Sequence, residues 1–356
     1  MATRSATPAI RAAGGLFRPG AMDDLALAAA LLPPRPDASL PLANANWKRG
    51  IAGIRFTGKF GAGTGFSGLC WKEQAHGPGD PGRIRRTPPT RTPVAGHAFP
   101  VASAAARSLN WSGAYVRPRA PVGREARMAL VQGFWRMPKT PPPTERFRVW
   151  SAWVGLDGHD PASTLMPQIG VAWLGGPADR RRGNCGEAVV WAQWWDEFNP
   201  AGLHRRIEGV PVRPGDLLYA QVMATGGASA SFLLSNLTQK RGFACHWAAP
   251  ARLPNGRPRP RAPRIEGRTA EWIVERPLIP DIAGALNATL GDFGVAEFSS
   301  CNAAAQVNGA WREFQLQHAR AIRMVTWDNT DVPGRIVSFP AIDRAAAALA
   351  VRHVAG

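Results

Sequence analysis

Tyrosine is nearly missing from this chain, with two residues in 356 against fourteen Trp and fourteen Phe. Cysteine is scarce as well, at four, too few for a disulfide-built scaffold. Acidic residues fall well short of basic ones, 25 against 43 Lys and Arg, for a net charge of +18. No apolar run reaches the ~18 residues of a membrane-spanning helix, so membrane is not an expected partner. What is present is a chain rich in breakers, Gly 38 and Pro 33, that is still 45% hydrophobic. That composition permits a sizeable core, and the length suits about two domains.

The residues are unevenly spread. Residues 1–107 carry half of the excess charge and two of the fourteen Trp, Trp47 and Trp71. Runs such as LLPPRPDASLPLANAN and HGPGDPGRIRRTPPTRTP read as turns or irregular chain, because Pro removes a backbone donor and fixes φ. Only 22–32 looks helical, with Asp23 and Asp24 suited to a first turn. From 108 onward the texture changes to short runs rich in Val, Ile, Phe and Trp between turn residues. These predict strands at 129–137, 149–156, 165–173, 188–195, 217–224, 229–236, 269–276, 295–300, 321–327 and 335–340. About ten strands without long helices between them predict an all-β, antiparallel two-sheet sandwich. A Pro/Arg-rich insertion at 239–268 reads as an exposed loop, and 342–353 as a C-terminal helix within a tail that runs to 356.

General motif searches exclude more than they find. GKFGAGTGFSG (58–68) has neither the Lys-Ser/Thr pair of a phosphate loop nor the later acid of a dinucleotide site, so it reads as a flexible loop. The His and Cys residues are scattered without zinc spacing, and Asp157-Gly-His159-Asp160 is explained by a tight turn. No metal and no cofactor is expected. No Ser sits in a nucleophile elbow, and Cys185 and Cys301 read as structural thiols. The Arg runs and the aromatics lie mostly in different segments, so nucleic acid is not the expected partner.

The strand-rich part resembles the glutamic peptidases, the eqolisin family, in nine ordered blocks. They are NWSGAYV (110–116), VQGFWRMP (131–138), SAWVGLDG (151–158), LMPQIGVAW (165–173), WWDEFNP (194–200), VRPGD (212–216), SNLT (235–238), AEWIVERP (270–277) and GDFGVAEF (291–298). The resemblance spans about 108–340. It implies two packed, bent sheets of the concanavalin A-like type with a cleft on a concave face, and endopeptidase activity on polypeptides by a monomer without metal. It also implies that Glu271 of AEWIVE serves as general base and acid and that Gln168 of LMPQIG stabilises the oxyanion. Asp157, Trp195 and Glu197 would line the cleft, and Trp153 would pack beneath it.

The residue chemistry suits those roles. A carboxylate can take a proton from water and later return it to an amine, and a neutral amide donates N–H to an oxyanion without carrying charge. Strand alternation puts Glu271, Ile273 and Glu275 on one face and Trp272 and Val274 on the other. Because Trp194 precedes Trp195, a one-residue slip would exchange which of them faces the cleft. The alternative function is a non-catalytic, lectin-like sandwich that binds carbohydrate or peptide in an aromatic-lined cleft.

Two departures from the family bear on use. The domain from 108 carries 29 basic and 20 acidic residues, whereas the acid peptidases are acidic proteins, so a milder working pH is expected. Residues 1–107 would be either a removable prosegment or a permanent disordered tail. The family chemistry suits secretion, although no clear leader is visible, and the Ala/Arg/Pro/Gly bias suggests a bacterial source.

Overall fold

The computed structural model describes residues 22–29, 32–61, 105–118, 125–138, 148–160, 162–175, 186–198, 204–253, 256–281, 284–287, 289–326 and 335–354. The Arg run 83–91, Cys70 and Cys185, and the Gly-rich stretch after Gly61 lie outside them. No helix among the described residues is long and apolar enough to cross a membrane.

All ten predicted strands form. In chain order the elements are α1 (Asp24–Ala29), α2 (Pro41–Ile51), β1 (Arg55–Phe56), β2 (Lys59–Phe60), β3 (Ala106–Ser108), β4 (Trp111–Val116), β5 (Ala126–Arg136) and β6 (Arg148–Leu156). Then come β7 (Leu165–Gly175), β8 (Glu187–Asp196), β9 (His204–Glu208), β10 (Leu217–Gly226), β11 (Ser229–Asn236), β12 (Arg241–Ala248) and β13 (Ala270–Glu275). The chain ends with β14 (Leu278–Asp281), β15 (Gly284–Asn287), β16 (Val295–Val307), β17 (Ala310–Gln315), β18 (Arg320–Val325), β19 (Ile336–Asp343) and β20 (Ala348–His353).

Apart from the small β14–β15 hairpin, the strands make one sheet that folds back on itself. One layer runs β9-β8-β7-β6-β13-β4-β18, and the other β17-β16-β5-β10-β11-β12. β19 and β20 join them along one side. Between the layers lies the main core, with Trp150, Val154, Ile169, Trp194 and Trp272 from the first and Trp135, Val222 and Phe232 from the second. The alternate residues of the first layer form a second apolar set on its outer face: Trp111, Trp153, Met166, Trp191, Trp195 and Ile273. Both faces of β6, β7 and β13 are therefore buried, which is why these strands read as unbroken apolar runs.

The helix expected at 342–353 is a β-hairpin. Alanine favours helix in isolation, but Leu349 and Val351 alternate into the core while β20 pairs with both β16 and β19. Asp343 accepts from the backbone N–H groups of Ala345 and Ala346, and Ala347 takes φ 49°, which sets the turn. Tertiary pairing outweighs local propensity here.

The insertion 239–268 is not a free loop either. Its first part is β12, paired with β11 over eight residues. Farther on, Arg259 makes a two-toothed ion pair with Asp196 at the end of β8, and both side chains are buried. The insertion reads in the sequence as an exposed loop, but this Arg is buried.

The N-terminal region is ordered over much of 22–61. Trp47, Leu27 and Ile51 pack with Phe134, Tyr219, Leu233 and Ala244 on the outer face of the second layer. Glu313 accepts from the N–H of Ala43, supplying an anion at the N-terminus of α2 that Leu40 cannot cap. β1 then pairs with the edge strand β12, and β2 with the edge strand β9. One strap thus covers the open edge of each layer.

Candidate active site

The outer face of the first layer carries one row of cross-strand neighbours. From β18 to β9 it reads Arg320, Tyr115, Glu271, Gly155, Gln168, Gln193 and His204. Glu271 and Gln168 are therefore two strands apart, with Cα atoms ~10 Å from each other. The residue between them has no side chain. A long carboxylate and a long amide thus flank a residue without a side chain, beside the Trp153 ring. Both are wholly buried.

The carboxylate is held by backbone. Glu271 Oε1 accepts from the N–H of Gly158 at 3.1 Å and of His159 at 3.2 Å. Those donors reach it because Asp157, the last residue before the turn, takes φ 68°, a left-handed conformation that Asp tolerates. Gly158 must be glycine for space, since a Cβ there would lie 2.4 Å from the Trp111 ring and 2.5 Å from Met166 Sδ.

Asp157 does not line open space. It is buried, and its carboxylate accepts from the N–H groups of Gly267 and Arg268, just before β13. It ties the turn that holds Glu271 to the segment that delivers Glu271. Burial pushes its carboxyl up to about 6, against the opposing pull of the backbone donors at Gly267 and Arg268. The rest of the turn is spoken for: His159 stacks on Tyr115, and Asp160 pairs with Arg117 at 3.2 Å. No group of three or more His, Cys, Asp or Glu is placed to hold a metal ion among the described residues.

The sequence model of the Peptidase A4 family matches residues 109–337, a stretch that holds the whole row. The chain belongs to the Peptidase A4 family. Among solved structures it is similar to scytalido-glutamic peptidase bound to a transition-state analogue inhibitor, at 19% identity and TM-score 0.51, covering 69% of this chain and 98% of that one. A weaker likeness is to aspergilloglutamic peptidase from Aspergillus niger, at 20% identity and TM-score 0.39, covering 58% and 99%. No curated protein matches. This A4 chain is a glutamic-type peptide hydrolase whose substrates are polypeptides.

In this peptidase Trp153 lies on the site face beside Gly155. Its ring sits 2.9 Å from where a Cβ on Gly155 would be, and its Nε1 donates to Glu275 Oε2 at 2.8 Å. Glu275 also accepts from Asn110 Nδ2 at 3.0 Å, so this second carboxylate on the face is committed to the floor. Asn110 matches a glycosylation pattern in the sequence, yet it is buried and serves the interior.

The Trp194/Trp195 ambiguity is resolved by register. Trp195 pairs with Met166 on the site face, while Trp194 packs between the layers against Phe232 and Trp247. Glu197 is not brought to the row. It lies exposed past the end of β8, its backbone N–H bonded to Thr164. The polar residue that β8 does bring to the row is Gln193, which no motif singled out; the signal was its place two residues before Trp195 on the same face. Cys245 and Cys301 are free, and burial pushes both thiols up, so neither is suited to nucleophilic attack.

Proposed function

We propose that the chain is an endopeptidase working with a Glu271–Gln168 pair. Glu271 takes a proton from a water lodged over Gly155, and the oxygen of that water attacks the scissile carbonyl carbon. Gln168 donates N–H to the oxyanion that forms. Glu271 then returns the proton to the departing amine as the C–N bond breaks. The observation that carries this reading is the row Glu271–Gly155–Gln168, in which a buried carboxylate and a buried amide flank a residue without a side chain. Donors preorganised in such a setting act strongly on developing charge.

Asp157 serves as the brace of the turn that holds Glu271, and Trp153 as its floor. With the Asp157 carboxyl at about 6, this brace changes its protonation in the weakly acidic range. The reading also places the enzyme outside the cell, where polypeptides meet acidic surroundings.

The test is hydrolysis of an unfolded protein, followed from strongly acidic to neutral pH, by wild type, Glu271→Gln and Gln168→Ala. Glu271→Gln loses turnover by roughly three orders of magnitude or more, and Gln168→Ala by about 10²–10³. Both variants keep the wild-type circular dichroism. Retained turnover in a folded Glu271→Gln protein would remove the dyad. Binding of peptide or sugar with no hydrolysis by wild type would favour the lectin-like alternative.

A further inference from the structure

Gln193 is the row's next residue beyond Gln168, directly across the β7–β8 pair. Its side chain is wholly buried, and its Oε1 accepts from Gln168 Nε2 at 3.0 Å. Among the described residues its own Nε2 has no hydrogen-bond partner, so no other group draws the Gln193 amide away from Gln168. We propose that Gln193 is a positioning residue that fixes the orientation of the Gln168 amide. The inference deepens the peptidase reading and rests on Gln168 as oxyanion donor.

The argument is one of amide geometry. The last torsion of a Gln is broad and roughly two-fold, so by itself it chooses poorly between pointing N and pointing O at a given spot. An oxyanion site needs N–H there; an amide oxygen would repel the developing charge. A primary amide has two N–H donors. If one is held by the Gln193 carbonyl, the amide plane is set and the second N–H has a defined direction. Turning one amide alone would place N–H₂ against N–H₂ or O against O, so the two amides can turn only together. A neutral partner also keeps this arrangement across the whole pH range, since Gln does not titrate.

The test uses the full chain with Gln193→Met, which removes the acceptor, and Gln193→Glu, which keeps an oxygen acceptor of the same reach. Gln193→Met lowers kcat by about 10- to 100-fold with KM within about two-fold of wild type. Gln193→Glu regains most of that loss and adds an ionisation to the pH profile that wild type and Gln193→Met lack. Side-chain amide signals from uniformly ¹⁵N-labelled protein give a readout independent of turnover. The Gln168 N–H₂ pair, identified by its loss in Gln168→Ala, shows slow exchange in wild type and fast exchange in Gln193→Met. Wild-type kcat in Gln193→Met, or equal loss in both folded variants, overturns the proposal. If wild type hydrolyses nothing, the peptidase reading fails by itself, and unchanged Gln168 exchange in Gln193→Met still decides against the positioning role.

Discussion

Replacing Gly155 by Ala tests the heart of the site with a single methyl group. Gly155 lies between Glu271 and Gln168, and its backbone is not left-handed, so Ala meets no conformational penalty there. The obstacle is space. The new Cβ would sit 2.9 Å from Trp153 Cζ3, 3.1 Å from Gln168 Cβ and 3.1 Å from the Pro167 carbonyl oxygen. The last of these is backbone, and the Trp153 ring is tied to Glu275, so neither yields freely. Overpacking of this kind costs about 1–3 kcal/mol, or a fall in Tm of roughly 2–12 °C for a domain of this size. Activity should suffer more. The methyl occupies the gap where the water and scissile carbonyl would meet and pushes Gln168 outward. A hundred-fold loss corresponds to about 2.7 kcal/mol of transition-state stabilisation, and at least that is expected. Hydrolysis of an unfolded protein and thermal unfolding would be measured on the same preparation. A Gly155→Ala protein that stays folded and cleaves at the wild-type rate refutes the idea that the reaction takes place over this residue.

Acid response is set by two buried groups of opposite sign. Burial holds His204 neutral, its value down at about 3 from 6.5, so its contribution to stability is present above about 6.5 and lost as pH falls towards 3. Asp157, raised to about 6 from 3.8, contributes below about 3.8 and loses that contribution as pH rises through 6. His204→Gln should therefore lose less stability than wild type between about pH 7 and pH 4, by about 3 kcal/mol; equal losses in urea unfolding would mean the ring is charged in the fold. The strap makes its own prediction. Trp47→Ala empties a fully buried site shared with Phe134 and Tyr219, at a cost of about 3–5 kcal/mol. Tm should fall on the order of 10 °C, and limited proteolysis should cut within 32–61 sooner than in wild type; an unchanged Tm would make the strap dispensable.

Local pattern was enough for some of this. Alternation in AEWIVE alone puts Glu271, Ile273 and Glu275 on one face, and the apolar runs mark ten strands, because both depend on the period of two that every strand shares. The N-terminal helix at 22–32 was legible only in part: α1 spans Asp24–Ala29, while α2 was missed because its Pro-punctuated stretch reads as turns, although Ala43, Trp47, Gly50 and Ile51 make a buried helical stripe. What the chain could not announce were its partners across strands. Gln193 opposite Gln168, Gly155 between the two reacting side chains and Asp157 tied to Gly267 are neighbours by register, set by packing between residues 13 to 116 positions apart. The same holds for the Ala-rich terminus drawn into β20 and for Arg259 drawn onto Asp196. Composition and spacing decided that a layered β fold would form, and the family resemblance of its ordered blocks named the carboxylate and the amide. Only the folded sheet decided what stands beside them, since cross-strand contact is a property of register and no local sequence encodes it.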